Sequence, residues 1–67
     1  MVIKGKVTFI DAFVNAVMLN ETEIQLTDKM WKYMKPQPGD IISLDYDKTT
    51  GTAFGGYVIK RGRNGKN

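Results

Sequence analysis

The chain has 67 residues, no Cys, no His and a formal charge of +3. Those absences exclude disulfides, thiolate or imidazole metal sites and histidine acid–base chemistry, and so short a chain buries only about 60% of the surface its unfolded form exposes. No apolar run approaches the roughly 20 residues of a membrane span and no basic-plus-apolar signal opens the chain, so a cytoplasmic protein without membrane contact is expected.

The first element is predicted over Val2 to Ile10, where Ile3, Gly5, Val7 and Phe9 alternate with Lys4, Lys6 and Thr8. That period of two marks a strand with one wet face, and Gly5 within it suggests a bend or bulge. After a short turn at Asp11-Ala12, Phe13 to Leu19 reads as a second strand with Val17 and Leu19 in phase. Asn20-Glu21-Thr22 is a turn, and Glu23 to Leu26 is a third strand carrying Ile24 and Leu26.

Thr27 or Asp28 offers a helix N-cap, since either side chain accepts from a free N–H of the first turn. Lys29 to Lys35 then puts Met30 and Met34 four apart on one face, and Pro36 and Pro38 stop the helix. Ile41 to Asp47 is the fourth strand, with Ile42, Leu44 and Tyr46 on one side. Asp47 to Gly51 is a hairpin loop, and Thr52 to Lys60 is a fifth strand whose phase breaks at Gly55-Gly56.

Five strands with a short helix between the third and fourth predict an all-β fold, a small OB-type barrel spanning residues 1–60. An SH3-like barrel competes; the helix after strand three favours the OB choice. Residues 60–67 carry four positive charges and no negative one, whereas residues 1–59 hold six Lys against seven acidic residues. The net charge therefore belongs to the C-terminal end, and residues 61–67 have the composition of a basic flexible tail.

Gly5-Lys6-Val7, Val17-x-Leu19, Glu23-Ile24, Lys29-Met30 and Pro38-Gly39-Asp40 together resemble the first bacterial translation initiation factor and its relatives. The likeness runs over about residues 3–60. The start Gly5 to Asp11 also resembles the opening of cold-shock domains. Both resemblances imply OB folds that bind single-stranded nucleic acid, in the first case RNA on the ribosome. The chain departs from both: strand three has no aromatic, and Glu21, Glu23, Asp45 and Asp47 stand where the initiation factor spreads Arg and Lys.

Single strands are held by stacking bases on aromatic faces and by tracking phosphates with basic side chains. The candidate platforms are Phe9, Phe13, Trp31 and Tyr57. Phe9 matches a binding-face aromatic of the cold-shock pattern, but its phase with Ile3 and Val7 also suits the core. Phe13 lies near the turn between strands one and two, as a ligand contact or a hydrophobic plug. Trp31 and Tyr33 interleave with Lys29, Lys32 and Lys35, a pattern that suits stacking plus charge. The alternative is a capping face of Met30, Tyr33 and Met34 beneath merely solvated lysines. Lys4 and Lys6, with Lys60, Arg61 and Arg63, could form one basic ridge, since strands one and five approach near their ends.

The chain is thus expected to bind single-stranded RNA or DNA, RNA being the more expected, with little sequence preference. The alternative is a small interaction module, docking on a larger protein or ribonucleoprotein assembly through Phe13, Met18, Trp31 and Met34. No catalytic constellation, metal site or cofactor is implied; Asp45 and Asp47 read as residues that discourage edge pairing and shape the hairpin.

Overall fold

The computed structural model describes residues 1–62, and Arg63 lies beyond them. In chain order the elements are β1 (Val2–Asp11), β2 (Ala16–Leu19), β3 (Thr22–Gln25), α1 (Asp28–Met34), β4 (Ile41–Asp47) and β5 (Thr52–Lys60). The strands close into a barrel in the order β1-β2-β3-β5-β4, with α1 between the third and fourth strands. This is the small all-β, OB-type barrel that the element pattern predicts.

Strand β1 is long enough to serve two partners. Its first half, Val2 to Lys6, runs antiparallel to Asp45–Ile41 of β4, and its second half, from Val7, pairs with β2. Just inside the second half the register slips, so that Val7 faces Leu19 while Phe9 faces Met18. A bulge of this kind adds a residue to one strand and sharpens its twist, which lets one strand turn from one sheet face to the next. The bulge falls at Thr8 and not at Gly5. What Gly5 provides is room: a Cβ there would sit 2.7 Å from Asn20 Oδ1, whose side chain lies over it and donates from Nδ2 to the Lys4 carbonyl.

The bulge corrects the core reading of Phe9. Simple alternation puts Phe9 in phase with Ile3 and Val7, but the extra residue turns it outward, leaving it 60% exposed while Ile10 packs against the core. The core is filled instead by Val7, Val17, Leu19, Ile24, Leu26, Met30, Met34, Ile42, Leu44, Tyr46 and Ala53. Each large aliphatic side chain here contributes about 1.5–3 kcal/mol by leaving water.

Strand β2 is shorter than its sequence suggests. Phe13 to Asn15 belong to the turn, because Asp11 Oδ1 accepts the Phe13 N–H at 3.0 Å and Asn15 takes a positive φ of 54°. Barrel closure between β3 and β5 rests on a single parallel pair, Gln25 with Thr52, beside a 2.9 Å bond from the Gln25 N–H to the Gly51 carbonyl. Helix α1 lies along β5 nearby, and the Tyr33 hydroxyl donates to the Gly56 carbonyl at 2.8 Å.

Thr27 caps α1, its hydroxyl accepting the Met30 N–H at 3.1 Å, and Lys35 ends it in the left-handed conformation. Met30 and Met34 are buried as their spacing requires. Tyr33 does not join them: it is 55% exposed and reaches β5 through its hydroxyl. Past the helix, Asp40 is completely buried at the corner that starts β4. Its carboxylate accepts N–H groups from Gln37 and Gly62 at 3.0 and 2.8 Å and pairs with Arg61 Nη1 at 3.1 Å.

Candidate nucleic-acid interface

Because directly opposed residues of a sheet point the same way, the pairing of β1, β4 and β5 assembles an outer face in rows. One row is Lys4, Ser43 and Tyr57; the next is Lys6, Ile41 and Lys60. Ser43 points outward by alternation between the inward Ile42 and Leu44, yet is only 4% exposed. Lys4, Lys6, Tyr57 and Lys60 around it are all exposed. Lysines from the first strand and an aromatic and a lysine from the last therefore share one surface, with β4 as the spacer. Adjacent strands lie about 4.8 Å apart, so Lys6 and Lys60 stand roughly 10 Å from each other at the backbone. The next row, Val2, Asp45 and Gly55, ends this surface with an acidic group that the N-terminal ammonium of Met1 neutralises at 3.1 Å.

Phe9 continues the outward side of β1 past Lys6, on the far side of the bulge, opposite Met18 of β2. Phe13 stands fully exposed at the tip of the β1–β2 turn. The Asx-type bond from the Phe13 N–H to Asp11 fixes that turn, and Asn15 Nδ2 ties its far side to Asp28 Oδ1 at 2.6 Å. In OB folds the loop between strands one and two is a common ligand contact.

The other candidates lie on or just after α1, or are engaged elsewhere. Trp31 is half-buried and packs against the core along the barrel flank, so little of its ring is open to a base. Lys32 and Lys35 are exposed on and after the helix. Arg61 is committed to the Asp40 carboxylate and to the Lys35 carbonyl, at 3.1 and 3.2 Å, and so braces the helix-to-strand corner. Met34, part of the alternative docking surface, is 1% exposed and inside the core. Arg63 lies outside the described residues.

Phe54 escaped the sequence reading. It is 65% exposed because β5 slips register between its pairs with Asp45 and Tyr46, leaving Phe54 unpaired at a bulge. The phase break at Gly55-Gly56 was the available signal. Among the described residues no helix is long and apolar enough to cross a membrane, and no group of three or more His, Cys, Asp or Glu could hold a metal. No protein-family model, curated protein or solved structure matches the chain.

Proposed function

We propose that this chain binds single-stranded nucleic acid, RNA in the first instance, with little sequence preference. The observation that carries the reading is the outward surface of β1, β4 and β5, where Lys4, Lys6 and Lys60 surround Tyr57. In that arrangement the lysines neutralise phosphates while Tyr57 stacks a base. Stacking is indifferent to base identity because every base has a π-face, and it contributes about 1–3 kcal/mol per base. Phosphate contacts through flexible lysines carry no sequence information.

The test is a titration of a fluorescent single-stranded oligonucleotide, RNA and DNA in parallel, at low and at moderate salt. Tyr57→Ala is expected to weaken binding by about tenfold, in line with one lost stack. Lys4→Ala and Lys6→Ala are expected to weaken it by several-fold each and to flatten its salt dependence. No binding at low salt, or identical behaviour of all three variants and the parent, rules the reading out.

A further inference from the structure

Opposite to the lysine-bearing rows in character is a cleft of about 120 Å³ between β1, β2 and β3, lined by Phe9, Asp11, Ala16, Val17, Met18 and Glu23. Its rim holds two carboxylates and no basic side chain. Phe9 and Met18 face each other across β1 and β2, and Met18 faces Glu23 across β2 and β3, so all three side chains share one outward row. Asp11 spends one oxygen on the Phe13 N–H, and among the described residues neither its other oxygen nor the Glu23 carboxylate meets a cation or a hydrogen-bond donor. Two anionic groups and an open aromatic face beside a polarisable thioether form a negative, partly apolar recess.

We propose that this cleft receives an arginine side chain from a basic segment of a partner protein. A guanidinium suits each part of the lining: its planar face stacks on Phe9 and against Met18, and its N–H fork reaches the carboxylates of Asp11 and Glu23. A phosphodiester is repelled by the same pair of carboxylates, so the cleft is unsuited to the nucleic-acid backbone. Phe13, fully exposed on its fixed turn beside Asp11, gives the partner's neighbouring apolar residues an anchor. The two surfaces then divide the barrel, with a cation-seeking cleft on β1–β3 and an anion-seeking face on β1, β4 and β5.

The experiment uses the full chain and a fluorescein-labelled Gly-Arg-Gly-Arg-Gly peptide, followed by anisotropy, with peptide-induced NMR amide shifts as the site readout. Shifts are expected at Phe9, Asp11, Met18 and Glu23. Glu23→Gln and Phe9→Leu are each expected to weaken binding about fivefold or more, whereas Asp47→Asn, which removes the same charge elsewhere, is expected to leave it unchanged. A lysine peptide of equal charge is expected to bind less well, because an ammonium lacks the planar fork. Equal weakening by Glu23→Gln and Asp47→Asn, or shifts spread over the whole surface, overturns the proposal in favour of unspecific charge attraction. If Glu23→Gln weakens an oligonucleotide and not the peptide, the cleft takes a base and the proposal also fails. Failure of the lysine variants to affect oligonucleotide binding bears on the other face alone.

Discussion

Asp40 shows how one side chain can set the requirements of a whole corner. A fully buried carboxylate is tolerable only when its oxygens are satisfied, and here two backbone N–H groups and a guanidinium do so. Asp40→Asn removes the charge and turns a second donor toward Gln37, Gly62 or Arg61. Because Arg61 is itself 39% exposed, the loss is expected below that of a fully buried pair, about 2–3 kcal/mol in urea unfolding. The sequence marks Pro38-Gly39-Asp40 as a turn. It does not mark Asp40 as an ion-pair member, since its partner stands 21 residues on in a stretch with the composition of a tail. For Phe9 the sequence left core and surface both open, for a different reason: alternation assigns faces only while the register holds, and nothing in the residue types around Thr8 announces the slip.

At the level of elements, period-two and period-four patterns were legible wherever strands and helix obey regular geometry. Ile42, Leu44 and Tyr46 on β4 and Met30 and Met34 on α1 are buried as their spacing requires. The ends were less legible, because turn hydrogen bonds such as that from the Phe13 N–H to Asp11 decide where β2 begins. Strand β5 depends on a close approach that only glycine permits. A Cβ on Gly56 would stand 2.6 Å from the Ser43 carbonyl oxygen and 2.7 Å from Leu44 Cδ2. Backbone cannot yield as a flexible side chain does, so Gly56→Ala is expected to cost about 1–3 kcal/mol and to loosen the β4–β5 pairing. Faster hydrogen exchange at Ser43 and Leu44 is the measurement that checks it. Gly55, one residue earlier, has open space at its Cβ and serves as the control, with little expected change.

For the molecule as a whole, the body without its basic end is close to neutral, so the proposed nucleic-acid binding cannot draw on a broad positive field of that body. Under that proposal, binding rests on a few local contacts. If Lys4, Lys6 and Lys60 each neutralise one phosphate, the slope of log affinity against log salt is expected near −2, at about −0.7 per contact on a single strand. A markedly steeper slope would assign a share to residues beyond 62. Here too the sequence was only partly legible: it supplied the basic and aromatic candidates, but only strand pairing sorts Lys4, Lys6, Tyr57 and Lys60 onto one face and Arg61 onto the corner. That placement of Arg61 bears on turnover. The dibasic Lys60-Arg61 bond is open to a trypsin-like protease only when this end leaves the sheet and Asp40, since Lys60 pairs with Ile41 and Asp40 holds Arg61 and Gly62. A single cleavage there would leave all five strands uncut and yet strip Asp40 of Arg61 and Gly62 together. The lifetime of the barrel is thereby tied to the integrity of two residues that belong to none of its strands.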